Sequence, residues 1–418
     1  VPMTFPSVRQ FAGVALEATQ GTAVPMTYTL LVEDLQPEDK PKWLDDHAWR
    51  GAMGTMFGRY QGPLVNDFTM KGPVFGDGLG FLLSNILGDL TPLGTASTPS
   101  TTLSAQANAG TSSLSTVVSI PAASVVLIGT GATAEIRTTG TPTGAGPYTI
   151  PFAAGQLPLQ YTHASAQAVV VQVASYTNAW SVLNTLATTN YPQGQPPTHT
   201  ITHYQGPAAG GVPRVFPGAC LSKLSLNWSA ESELLTFDAA ATSWPSTLDS
   251  QVRSPAGTTV APQPSWKGKL GIGGPASGGT QVLTVETGSV DIDRALEPIF
   301  TEQNSQNPYT IQRGEVSVGG KFEFVAADES PYLAMMNNTQ PQLQFTLTNG
   351  LTGANLITVQ FDVAQGAYRT AKLDAGKKAI RYGVEWDGIF NTTNAGGSGG
   401  YSPIKVTLGS AVPGNTYQ

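Results

Sequence analysis

Apolar and polar positions alternate in short runs along much of the chain, which is the period of strands with one buried face. The clearest run is residues 379–390. Ile380, Tyr382, Val384 and Trp386 fall on one face, and Arg381, Glu385 and Asp387 on the other. Residues 221–228 and 234–240 read as an antiparallel pair turning around Ser229–Ser232, with 198–204 as a strand before them. Further strands are expected at 28–32, 64–71, 282–286, 316–318, 322–325, 342–347, 356–363 and 404–408. A helical period appears only briefly, at 80–87, where Gly88 would close the helix. Residues 33–59 keep neither period for long and read as a long loop or an extended hairpin, a size that usually carries function or binds a partner. Acidic residues Asp328 and Glu329 precede Pro331 as the N-terminal cap of another short helix.

The pattern recurs at matched spacing. Val32-Glu33 is followed by Gly62–Phe68 and then by the apolar stretch Leu79–Leu83; Val285-Glu286 is followed by Gly314–Val318 and then by Pro331–Met336. Glu33 to Gly62 is a step of 29 residues and Glu286 to Gly314 one of 28, while Gly62 to Leu79 and Gly314 to Pro331 are both 17. Equal spacing with little identity points to one small fold used twice. Residues 91–178 interrupt the first use. They carry only Glu135 and Arg137 as charges and hold strand candidates at 115–120, 125–128, 134–138, 148–152 and 168–173, separated by turns such as Gly129-Thr130-Gly131. The expected organisation is a discontinuous first domain, 1–90 and 179–250, a small all-β insert at 91–178, and a linker at 251–264. A second domain follows at 265–394, then a Gly-rich linker and C-terminal arm at 395–418.

Composition narrows the function. Charged residues are 12% of the chain, and 47 Gly and 31 Pro favour turns between short strands over long helices. A net charge of −7 gives no general attraction for nucleic acid. The single cysteine, Cys220, excludes a disulfide within the chain and sits in an alternating strand, where a buried, inert thiol is expected. No apolar run is long enough for a membrane span, and the start Val1–Pro6 lacks the basic and apolar regions of a signal peptide, so folding in the cytoplasm is the expectation.

Catalytic chemistry is not visible. His199 and His203 have the spacing of zinc ligands on a helix, but on a strand residues four apart lie roughly 13 Å from each other; solvated histidines are expected. Asp45 and Asp46 flank His47 without a positioned nucleophile, and no phosphate-binding loop, dinucleotide fingerprint or serine-hydrolase elbow occurs. No cofactor and no metal is expected, and the protein is read as a non-enzyme.

Three stretches resemble the major tail tube proteins of long, non-contractile-tailed (siphovirus-like) bacteriophages: Gly13–Ala23; Gly62 onward into Gly78–Leu83; and His203-Tyr204-Gln205 followed by Phe216–Leu226. The resemblance covers most of 10–90 and 198–250, and more loosely 265–390; the insert looks like small β modules of other phage structural proteins. It implies a mainly β fold of two tandem β-sandwich or barrel domains, each with a short flanking helix. It also implies a structural virion protein whose domains form rings that stack into the tail tube through which DNA is ejected. With two domains on one chain, a ring would close as a trimer with pseudo-six-fold symmetry. The implied partners are the chain itself, the tape measure, tail terminator and distal tail proteins, and double-stranded DNA in transient passage.

Under that resemblance, residues 33–59 and 291–313 are the matching loops that would stack rings, with Trp43, Trp49, Phe57, Phe300 and Tyr309 as anchors. Asp67, Glu315 and Glu323 are candidate lumen-lining acids that would repel phosphate. The insert would stand on the tube exterior. Two rival expectations are a decoration or receptor-binding protein that forms no tube, and a β-sandwich carbohydrate-active enzyme with clustered carboxylates.

Overall fold

The alternating stretches form antiparallel strands, several of them far longer than the sequence pattern suggests. The computed structural model describes the chain apart from residues 1–8, 52, 93–99, 123, 130–134, 154–157, 160, 173–175, 184–193, 206–211, 232–233, 250–260, 351–355, 377, 391–401, 411, 413 and 418. Residues 93–99 of the Thr/Ser/Pro/Gly stretch 91–102, read as a linker, residues 251–260 of the expected linker 251–264, the Gly-rich 395–400, the start of the chain and part of the Gly129-Thr130-Gly131 turn lie outside the described residues.

The first part of the chain forms β1 (Phe11–Leu16), β2 (Tyr28–Leu30), β3 (Asp34–Asp46), β4 (Gly58–Pro73), helix α1 (Gly76–Ile86) and β5 (Gly88–Pro92). The insert contributes β6 (Ser100–Thr102), β7 (Ser113–Thr116), β8 (Val125–Ile128), β9 (Glu135–Thr138), β10 (Tyr148–Pro151) and β11 (Ala168–Gln172). Then come β12 (Tyr176–Val182), β13 (His199–Tyr204), β14 (Arg214–Ser229), β15 (Thr236–Ser243), β16 (Thr247–Leu248), β17 (Lys269–Ile272) and β18 (Gln281–Val282). The last part holds β19 (Val285–Ile299), β20 (Thr310–Val325), helix α2 (Ser330–Met336), β21 (Leu343–Thr348), β22 (Thr358–Val363), β23 (Gly366–Asp374), β24 (Arg381–Gly388) and β25 (Lys405–Ser410).

The fold is mainly β, with several sheets and no closed barrel among the described residues. A 12-stranded sheet contains β3, β4, β15, β14, β19, β20, β24 and β23 as neighbours in that order, with β13, β1 and β2 branching from β14. A 7-stranded sheet runs β18-β17-β21-β22-β25-β12-β5, so the C-terminal strand β25 sits between β22 and β12, the strand that follows the insert. The two sheets share one core. Leu224, Leu226, Val290, Ile292 and Phe322 of the large sheet are buried with Leu343, Phe345, Phe361 and Val406 of the other, and Trp228 stacks on Phe345 with ring centroids 3.7 Å apart. The insert has its own small core, built on Leu114, Val126, Ile128, Ile150 and Val169.

Of the two readings of residues 33–59, the extended hairpin is the one that forms, and residues 291–313, expected as the matching loop, also lie mainly on strands. They belong to two long antiparallel hairpins, β3–β4 and β19–β20. Their period is hidden in the sequence because each hairpin carries a β-bulge that shifts the faces, and β3 also contains Pro37 and Pro41. Helix α1 forms where predicted, four residues longer at its start, and Gly88 after it adopts φ 90°. At α2 the Asp328 carboxylate accepts a bond from the Ser330 N–H at 2.8 Å.

Candidate assembly interface

The central strands of the large sheet fall into two groups of four, β3-β4-β15-β14 and β19-β20-β24-β23, with matching registers. In the first hairpin Pro41 pairs with Leu64 and the next pair is Trp43 with Gln61; in the second Arg294 pairs with Val316 and the next pair is Leu296 with Arg313. The same bulge is therefore present at the same place. Beyond it the ladders end at Asp46↔Gly58 and Ile299↔Thr310, each closed by one more main-chain bond, from Phe57 N to Asp46 O and from Tyr309 N to Ile299 O. The one-residue difference between the two sequence spacings falls in the hairpin tips. A second bulge also repeats: β14–β15 skips Ser222 between Leu221 and Lys223, and β23–β24 skips Arg369 between Tyr368 and Thr370. Aligning the hairpins and bulges makes Leu226 equivalent to Leu373, and Asp293 equivalent to Lys40.

Inside the chain the two groups join through β14 and β19, from Lys223↔Asp293 to Ser229↔Thr287. Among the described residues, the outer edges of the run, β3 and β23, pair only inward, with β4 and β24. The base of the second hairpin is also fastened to the first part of the chain. Thr310 Oγ1 donates to Gln20 Oε1 at 2.7 Å, Gln20 Nε2 donates to Ile311 O at 3.1 Å, and the Arg313 guanidinium donates to Pro197 O at 3.1 Å. Its tip reaches the first hairpin, where Leu64 N donates to Gln306 O and Gln306 Nε2 to Gln61 O, both at 2.9 Å.

The predicted aromatic anchors lie on these hairpins. Trp43, beside the Arg59 guanidinium, is half exposed on β3, and Trp49 is fully exposed at the first tip, where Arg50 lies over the Phe57 ring. Phe300 and Tyr309 are exposed at the second tip. The structure does not gather these five side chains into one cluster. The three predicted acids, Asp67, Glu315 and Glu323, lie on strands β4 and β20, on the face turned away from the core residues Phe68, Met70, Phe322 and Phe324.

That face carries interleaved charge. Lys40 bridges Asp67 at 3.0 Å and Glu38 at 3.6 Å, Lys71 lies 3.8 Å from Asp34, and Lys321 is 3.1 Å from Glu385. Arg369 contacts Glu385 and Asp387, and Arg381 contacts Glu286 and Glu323. The hydrogen bond from Lys321 and its charge hold the Glu385 carboxyl below its ordinary range. Over β3, β4 and β15 the face is hollowed into an open groove of about 550 Å³, lined by Gln36, Glu38, Lys40, Asp67, Thr69 and Thr242.

Behind the sheet lies a set of buried polar groups that the sequence did not reveal. Contrary to the expectation of solvated side chains, His199 and His203 are buried. Burial pushes His199 down to about 3, and its Nδ1 meets Asn85 Nδ2 at 2.9 Å. The pattern Thr-His-Thr-Ile-Thr-His hides this, because β13 is covered on both faces. Glu17 accepts bonds from Thr198 Oγ1, Thr200 Oγ1 and Gly218 N, each at 2.7 Å, while burial raises its pKa. Burial lowers Arg294 to about 10 and raises the Cys220 thiol, which is buried as expected. No group of three or more histidine, cysteine or acidic side chains suited to a metal ion occurs among the described residues. No helix among them is long and apolar enough to cross a membrane.

Long hairpins, a repeated four-strand unit and two strand edges paired only inward define an assembly protein of the all-β class. The chain belongs to the phage tail tube protein family, whose model matches residues 4–388. No curated protein matches the chain. Membership makes it a structural component of a phage tail that assembles with itself into a tube, in a family that is not one of enzymes.

Proposed function

We propose that the protein polymerises into stacked rings, each of three chains with pseudo-six-fold symmetry, and that the resulting tube conducts genomic DNA during ejection from a siphovirus-like virion. The observation that carries this reading is the four-strand unit repeated in the same order, with the same two bulges, along a single sheet. A head-to-tail repeat has rotational rather than mirror character, so it propagates around a ring.

The same observation supports the duplicated organisation: a first domain from 1–90 and 179–250, an insert at 91–178 with a core of its own, a linker at 251–264 and a second domain at 265–394. The arm at 395–418 brings β25 into the 7-stranded sheet. The polar face with Asp67, Glu315 and Glu323 is assigned to the lumen. Its cations largely face carboxylates across the strands, which leaves few free positive charges to hold a sliding phosphate backbone. Trp49, Phe300 and Tyr309 are exposed at the hairpin tips and Phe57 is half-buried there beneath Arg50, where the next ring would stack, and the insert is assigned to the outside. Tape measure, tail terminator and distal tail proteins are the expected further partners, and synthesis is assigned to the host cytoplasm.

Electron microscopy of tubes formed by the purified chain tests the ring. Six lobes per ring with three-fold averaging of the chain are expected. Rings of six whole chains, or single compact particles at every concentration, would overturn it.

A further inference from the structure

Resting on that reading, we infer that the joint between neighbouring chains is a copy of the joint inside each chain: β23 of one chain pairs antiparallel with β3 of the next, in the register of β14 with β19. The internal joint supplies every term of the inference. β14 corresponds to β23 and β19 to β3 through the shared bulges. Transferring the internal register residue by residue, Lys223↔Asp293 becomes Thr370↔Lys40 and Ser225↔Asp291 becomes Lys372↔Glu38. Leu226↔Val290 becomes Leu373↔Pro37, and Asn227↔Ser289 becomes Asp374↔Gln36.

Chemistry at the two edges agrees with this register. Lys372 and Glu38 meet as opposite charges on the polar face, within the distance at which directly opposed side chains interact. Leu373 meets Pro37 on the apolar face. Leu226 is 0% exposed under its internal partner, whereas Leu373 is 55% exposed at the bare edge. A strand from a second copy removes that difference.

The two helices say the same. α1 lies on β14 and α2 on β23. Every residue of α1 is buried, and part of its cover comes from the second half of the chain: Ile357 is packed against Gly76, and Tyr417 against Gly80. No residue of α2 is buried, and Tyr332, Leu333 and Met336 are exposed. The occupant of this face is therefore a second copy, whose first half supplies the cover that the second half supplies to α1.

One correction to the stacking assignment follows. Trp43 is the counterpart of Leu296, which packs against the buried cluster of Cys220, Trp244 and Ile311 within the chain. In the copied joint Trp43 packs sideways against the neighbouring chain in the same ring, not against the ring above. Pro37 and Pro41 stand where β19 has Val290 and Arg294, so β3 offers fewer N–H donors and the copied joint is weaker than its internal template.

The test is a disulfide in the full chain. Glu38→Cys combined with Lys372→Cys is expected to give, on oxidation of assembled tubes, covalent species ending at a closed three-chain ring. Either single variant gives none, since Cys220 is buried, and the shifted pair Glu38→Cys with Asp374→Cys gives far less. Tubes that assemble without cross-linking, or linkage of Lys372→Cys to itself, would overturn the joint while leaving the tube intact. Should the cysteine variants not assemble, charge exchange decides: Glu38→Lys alone impairs tube formation, and adding Lys372→Glu restores it. Absence of rescue overturns the proposal. Wild-type chains that never form rings would instead overturn the tube reading.

Discussion

Leu226 and Leu373 occupy equivalent places in equivalent strands, yet one is sealed in the core and the other stands half in water. The helices beside them differ in the same sense, α1 buried throughout and α2 nowhere. Sequence quality does not explain this. Tyr332, Leu333, Met336 and Leu373 are as apolar as a core requires, and an isolated chain has little reason to leave them on one surface. The covered half shows what the bare half is built to receive: a strand on its edge and a layer over its helix. Within one molecule the first unit is a finished interface and the second an unfinished one.

Mutations at the paired positions separate the two situations. Leu226→Ala should destabilise the dilute chain by about 2–5 kcal/mol, the usual cost of truncating a sealed core leucine. Leu373→Ala should leave its stability within about 0.5 kcal/mol while reducing tube formation. Urea midpoints on dilute protein and sedimentation of tubes read the two effects; equal destabilisation by both changes would break the comparison.

Acid provides the next contrast. His199 is neutral in the fold, with its pKa lowered to about 3 by burial. The unfolded chain binds a proton near pH 6.5 and the folded chain does not, so His199 makes stability fall as pH drops through that window, by about 2 kcal/mol at pH 5. Glu17 acts in the opposite direction: its raised pKa means the fold holds a proton more tightly than the unfolded chain does. The difference between wild type and His199→Asn therefore isolates the histidine. Stability of the wild type should decline more steeply between pH 6.5 and 5, with amide exchange rising at α1 before the second unit. Parallel pH profiles would remove His199 from the account. The smallest expected effect is at the polar face: Asp67→Asn, which breaks an exposed pair with Lys40, should not move the melting midpoint measurably, and any change should appear in assembly or DNA passage instead.

The sequence made some of this legible. The strict alternation of Ile380, Tyr382, Val384 and Trp386 placed β24, and the Leu221–Trp228 run placed the inner half of β14. The spacing between Glu33 and Gly62, and between Glu286 and Gly314, anticipated two hairpins of equal reach. The length of their strands was hidden, because a bulge moves the following side chains to the opposite face and so erases the period on which a strand is recognised. His199 and His203 misled for another reason. Alternation with threonine looks like a solvated face, and only the packing of α1 against His199 on one side of β13 and the buried Glu17 carboxylate against Thr198 and Thr200 on the other make it an interior. The edges β3 and β23 could not be matched from sequence at all, since their correspondence lies in pairing partners and not in residue type.

The joint between β14 and β19 also has a kinetic meaning. Two units on one chain find each other at an effective concentration set by the connecting segment and not by the amount of protein in the cell. In the proposed ring of three chains half of the joints exist before any collision takes place, so nucleation by whole-ring closure would rise with the third power of chain concentration instead of the sixth. A duplicated chain can therefore close rings at a dilution where single units would remain apart.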